Sequence, residues 1–177
     1  SVDESFNAKT SHEVELLAIQ TDGRILIGGD FYQVDGVARR GLARLHANGR
    51  LDRTFAPLGD FEAAFEMLIL PDKTILVGGE FRDEHHLPET GLVRLFADGV
   101  LDGAFKGGNG STSVWEIELQ RDGKIVVAGL FNSTTGNPQR GVARLLGLSR
   151  NLSICCAEIR NGFMSFDIIG SDSDVAV

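Results

Sequence analysis

Shifted by fifty positions, the chain superimposes on itself. Asp22, Ile25, Gly29, Phe31, Gly41, Arg44 and Leu45 recur as Asp72, Ile75, Gly79, Phe81, Gly91, Arg94 and Leu95, and again as Asp122, Ile125, Gly129, Phe131, Gly141, Arg144 and Leu145. Whatever one copy forms, its neighbours must form too. Periods of this length belong to solenoids and propellers, whose units bury their apolar faces by stacking on one another. A shorter motif repeats as well: Val2-Asp3-Glu4-Ser5-Phe6, Leu51-Asp52-Arg53-Thr54-Phe55 and Leu101-Asp102-Gly103-Ala104-Phe105 align, the first after a single-residue slip. The copies span about residues 7–55, 56–105 and 106–147, and the opening residues read as the tail of an earlier repeat in a longer array.

Each copy reads as strands. Ile25, Ile27, Gly29 and Phe31 alternate with Leu26, Gly28 and Asp30 behind the turn Thr21-Asp22-Gly23-Arg24, with a partner strand at Leu16 to Gln20. A third run, Gly41 to Leu45, ends at Asn48-Gly49, and Leu51 to Phe55 forms an outer strand or a return loop. Both faces of the middle strand are apolar, as expected where another sheet lies on each side. The fold class is therefore all-β: a partial β-propeller of three antiparallel blades plus a C-terminal β remnant. In that remnant, residues 148–177, the runs Leu152 to Ile159 and Phe163 to Ile169 flank the turn signal Asn161-Gly162, and Asp174 to Val177 reads as a third strand. It is either an atypical closing blade or the start of a β-sandwich domain.

The consensus Gln-x-Asp-Gly-[Arg/Lys]-Ile-[Leu/Val]-[Ile/Val]-x-Gly-x-Phe, then Gly-[Leu/Val]-[Ala/Val]-Arg-Leu, then [Asn/Asp]-Gly-x-Leu-Asp-x-[Thr/Ala]-Phe resembles the delta-60 repeat family of bacterial β-propellers over residues 1 to about 147. The chain departs from it at Leu70 in place of Gln, at Lys73 in place of the turn Gly and at Ala128 in place of the first Gly. The resemblance implies tandem blades in a large exported or cell-surface protein, and brings neither catalytic residues nor a cofactor.

Composition excludes some classes of partner. A net charge of −8 leaves no basic stripe for nucleic acid, and no apolar run approaches the roughly eighteen residues of a membrane helix. No leader segment is visible, so the chain carries no address of its own. The cysteines are adjacent, Cys155 and Cys156, and point to opposite faces of a strand, so no disulfide framework is expected. Three blades leave open faces or edges, because propellers generally need four or more to close; this predicts a homo-oligomer or packing against further blades.

Packing and chemistry compete to explain the repeated glycines, arginines and acids. Gly29, Gly79 and Gly129, each two residues before Phe31, Phe81 or Phe131, imitate a phosphate loop but open no helix, and are expected to serve where blades come close. Arg44, Arg94 and Arg144 lie between apolar neighbours, with Asp52 and Asp102 eight residues beyond the first two. They predict a structural ion pair in each blade, the alternative being an anion-binding ring around the axis. Asp30 and Glu80 share a repeat position and imitate glycosidase carboxylates, but Leu130 breaks the set. His85-His86, flanked by Asp83 and Glu84, are adjacent and poorly placed to converge on one ion, so no metal is expected. Trp115 aligns with Phe65 and Glu15, as a sugar-stacking platform or a partly buried edge residue.

Variation between copies concentrates in the nine residues that join the second and third strands: Tyr32 to Arg40, Arg82 to Thr90 and Asn132 to Arg140. A constant frame with divergent loops is how scaffolds carry binding sites. The binding candidates are accordingly Tyr32, Asp35, Asp83, His85, His86 and Asn132, on one rim, for a protein or glycan. The function expected is a non-enzymatic binding or scaffolding module. The alternatives are an architectural spacer and a glycan hydrolase or lyase with axial carboxylates.

Overall fold

The structure, a computed structural model, describes residues 1, 3–61, 63–81, 90–105, 113–132, 138–145, 155–160 and 163–167. Every regular element among them is a β-strand: β1 (Leu16–Ile19), β2 (Ile25–Gly28), β3 (Gln33–Val34), β4 (Val37–Ala38), β5 (Leu42–Leu45), β6 (Ala64–Ile69), β7 (Ile75–Phe81), β8 (Thr90–Leu95), β9 (Ser113–Leu119), β10 (Ile125–Asn132), β11 (Pro138–Leu145), β12 (Cys155–Arg160) and β13 (Phe163–Asp167). Three antiparallel sheets form in the orders β1-β2-β5, β6-β7-β8 and β9-β10-β11, one blade per repeat. Their registers are the same ladder moved by fifty residues: Ile25 faces Ile19 and Leu45, Ile75 faces Ile69 and Leu95, Ile125 faces Leu119 and Leu145.

The Asp-Gly turns are three-residue loops rather than two-residue ones. Gln20 and Arg24 close the first, Gly23 N donates to Gln20 O, and Gly23 takes a left-handed φ of 80°. The same bonds close the loops of blade 2, where Lys73 holds φ 70°, and blade 3, where Gly123 holds φ 81°. Within each loop the Asp carboxylate accepts the N–H two residues on: Asp22 from Arg24, Asp72 from Thr74, Asp122 from Lys124. The segment expected as an outer strand or return loop is a loop pinned by one bridge, Leu51 to Leu45 in blade 1 and Leu101 to Leu95 in blade 2.

Packing follows the two apolar faces of each middle strand. Leu26 and Leu42 face blade 2 and join Phe55, Phe61, Met67, Ile75, Val77 and Phe81 in one core. Ile27, Ala43 and Leu45, on the opposite face of blade 1, pack with Phe31, Val34 and Leu51. Leu76 and Leu92 face forward again, against Val114, Ile117, Ile125 and Val127 of blade 3. The first strands lie side by side, β1 next to β6 and β6 next to β9, as the inner strands of a propeller do. The tail forms the hairpin expected around residues 161–162: β12 pairs antiparallel with β13, and β13 lies beside β11. The strand expected at Asp174 to Val177 lies outside the described residues.

Candidate functional site

Strand direction divides the propeller into two ends. The three-residue turns lie at one; β2, β7 and β10 end at the other, here the loop end. Tyr32 is exposed at the loop end, its ring 5.0 Å from that of His12, and Ser11 Oγ accepts the N–H groups of Tyr32 and Gln33 at 3.1 Å each. Asp35 tops the β3–β4 hairpin with φ 51° beside Gly36 at 74°. Its carboxylate is engaged, accepting from Leu51 N at 3.0 Å and Lys9 N at 3.4 Å, and its own N–H donates to Lys9 O at 2.8 Å. Asp35 thus ties the hairpin to the entering chain. Asn132 pairs with Pro138 at the end of β10, while Asp83, His85 and His86 lie outside the described residues. Of the six candidates, the described structure brings only Tyr32 and Asp35 into one loop.

The frame residues are accounted for by packing. A Cβ on Gly29, Gly79 or Gly129 would stand 2.5, 2.3 or 2.0 Å from the carbonyl oxygen of Glu13, Ala63 or Ser113. That close approach is within each blade, to the entrance of its own first strand, and not between blades as the repeat suggested. Close approaches between repeats fall instead at Gly78, whose Cβ would lie 3.0 Å from Val114 Cγ1 and 3.1 Å from Ile117 Cδ1, and at Gly99, whose Cβ would lie 3.0 Å from the Phe55 ring. Phe31 and Phe81 are buried, and Phe81 meets Phe61 edge-on at 5.9 Å. Phe131 takes its place in the β10–β11 ladder opposite Gln139.

The arginines divide two to one. Arg44 is buried: Nε donates to Asp52 at 2.9 Å, Nη1 to the carbonyl of Ala97 in the next blade at 2.5 Å, and the guanidinium sits 4.8 Å from the Phe55 ring centroid. Arg94, also buried, meets Asp102 at 2.9 and 2.6 Å and Phe105 at 4.8 Å. Burial pushes the Asp52 carboxyl up, but hydrogen bonds from Thr54 and Arg44 outweigh it and hold the group at about 2. Arg144 stands exposed, and the residue eight positions on is Leu152.

Two features escaped the sequence reading. At the loop end of the inner strands, register shifts leave Phe65 unpaired between Ala64 and Glu66, and Trp115 unpaired between Val114 and Glu116. Such bulges re-aim a side chain. Both aromatics stand exposed at the same repeat position of neighbouring blades, Trp115 beside the exposed carboxylate-bearing Glu116. The aromatic alignment was legible; the bulge that turns it outward was not. At the turn end lies a cleft of about 610 Å³, floored by Ile19, Ile69 and Leu119 and edged by Gln20, Arg24 and Lys73. Gln20 is buried and its Oε1 accepts no hydrogen bond from the protein, leaving an acceptor for a bound donor. Among the described residues, no group of three or more His, Cys, Asp or Glu is gathered as a metal site would require.

Residues 20–55, 70–105 and 120–147 match the family described as a domain of unknown function (DUF5122) beta-propeller. No curated protein and no solved structure matches the chain. The matched segments begin at one repeat position, fall on the three blades and together take in more than half of the 177 residues, so the chain belongs to the DUF5122 β-propeller family.

Proposed function

We propose that this propeller is a non-enzymatic binding module that takes its ligand at the loop end, on the aromatic ledge of Phe65 and Trp115. The single observation that carries the reading is the pair of inner-strand bulges, which hold two large aromatic faces in water at matched positions of adjacent blades. Keeping such rings exposed forgoes the burial that aromatic side chains ordinarily gain, and a flat ring beside carboxylates suits a sugar face or an apolar side chain of a protein partner. The charges that recur in blades 1 and 2 support a binding rather than a catalytic role, since Arg44 with Asp52 and Arg94 with Asp102 are spent inside their blades. The resemblance to delta-60 repeats supports an exported or cell-surface setting for the module.

The test is a glycan array together with pull-downs from surface extracts, using the wild-type chain and a Phe65→Ala, Trp115→Ala double variant. Binding by the wild type that falls at least about tenfold in the variant, with stability unchanged, is the expected result. Blank arrays and pull-downs, or binding indifferent to the variant, would instead favour a purely architectural spacer.

A further inference from the structure

Two of the three departures from the repeat consensus, Leu70 and Lys73, line one cavity, the cleft of about 610 Å³ at the turn end. Both belong to blade 2, which has a blade packed on either side, so they alter the interior of the row. In the other copies the first position holds Gln20 and Gln120, and the second holds Gly23 and Gly123. Lys73 keeps a φ of 70°, in the left-handed region that costs a residue with a side chain and suits glycine. Backbone strain of this kind persists where the strained residue is put to use.

What Lys73 brings to the cleft is an ammonium group that the glycine turns lack, and among the described residues no acid pairs with it. The other charges on the lining are already engaged. Arg24 is shared between Asp22 at 3.3 Å and Asp52 at 3.6 Å, Arg44 is held by Asp52, and Asp98 accepts Val100 N at 3.0 Å. Gln20 is the second unspent group: it is 9% exposed, and its Oε1 is enclosed with no donor from the protein. One blade on, the same position holds Leu70, 2% exposed in the core against blade 3. The frame accepts an apolar side chain here, yet blade 1 buries an acceptor, and native proteins seldom leave one unpaired. Ile69, Leu70, Pro71 and Leu119 give the cleft an apolar wall.

We infer that the turn-end cleft binds a small organic acid that has an aliphatic body and one hydrogen-bond donor. The carboxylate meets Lys73, a hydroxyl or amide N–H donates to Gln20 Oε1, and the aliphatic part lies on Ile69, Leu70, Pro71 and Leu119. The volume suits such a molecule, since small-ligand sites span roughly 300–1,000 Å³. The aromatic ledge of Phe65 and Trp115 lies at the other end of the inner strands, so the two sites are tested independently.

The full chain is titrated by NMR with three probes: N-acetyl-L-leucine, which has all three parts, 4-methylpentanoate, which lacks the donor, and N-acetyl-L-leucine amide, which lacks the charge. Wild type should bind the first, and each incomplete probe at least about fivefold more weakly. Gln20→Leu and Lys73→Gly each install the residue that another blade carries at that position, so the frame is kept. Each should weaken N-acetyl-L-leucine at least about fivefold, and selectively: Gln20→Leu leaves 4-methylpentanoate unchanged, and Lys73→Gly leaves the amide unchanged. No binding of N-acetyl-L-leucine overturns the proposal, as when a water alone satisfies Gln20. So does equal binding of the three probes, which needs no variant to read, or binding that both variants leave intact.

Discussion

At Asp52 four groups converge on one carboxylate: two from Thr54, the guanidinium of Arg44 and, at 3.6 Å, that of Arg24. Removing its charge with Asp52→Asn leaves Arg44 buried without its acid, and the expected loss is about 3–5 kcal/mol in urea unfolding. The pH dependence has a definite sign. A carboxyl held at about 2 in the folded chain, against about 3.9 when unfolded, stabilises the fold fully above pH 4 and loses that contribution as pH falls toward 2. Wild type should therefore lose stability relative to Asp52→Asn across that window; parallel curves would show that the pair does not set the response. Gly79 is the steric counterpart. A methyl there would stand 2.3 Å from Ala63 O, so Gly79→Ala should cost about 1–3 kcal/mol, whereas Gly103→Ala, with nothing within 4 Å, should cost little. Equal losses would rule out the close approach.

Among elements, the three-residue turn is built alike in every blade, with one exception that can be tested. Lys73 sits in the left-handed region that Gly23 and Gly123 occupy in the other copies. Relieving roughly 1–2 kcal/mol of strain against the roughly 0.5–1 kcal/mol entropic cost of glycine, Lys73→Gly should raise stability by about 0.5–1 kcal/mol. A lower melting temperature would argue against the assigned turn. The departure at Lys73 could be read directly from the repeat, and so could the strands, because apolar alternation and Asp-Gly turns are local signals. The pairing of Arg44 with Asp52 was legible too, since spacing of eight residues recurs with the arginine. The inner-strand bulges were not legible: the alignment of Trp115 with Phe65 left a sugar-stacking platform and a partly buried edge residue both open, and only the pairing of Ala64 with Gly79 and of Glu66 with Gly78 shows that a residue has been squeezed out. Nor was the engagement of Asp35, whose partners Lys9 and Leu51 come from distant parts of the chain. The turn-end cleft escaped for the same reason, being assembled from three blades.

For the whole molecule, the governing interaction is sheet against sheet. The middle strands β2 and β7 each divide their side chains between two cores, so neither of these blades owns a complete one, and stability should spread along the row through nearest neighbours as in other repeat proteins. The most direct test is a double-mutant cycle across the second junction, where a methyl on Gly78 would press on Val114 Cγ1 at 3.0 Å. Stacked blades predict that Gly78→Ala and Val114→Ala are each destabilising in urea unfolding, and that the double variant loses at least about 0.5 kcal/mol less than their sum, because the smaller residue makes room for the added methyl. Strict additivity, within about 0.3 kcal/mol, would mean that these two blades do not pack face to face and would contradict the account.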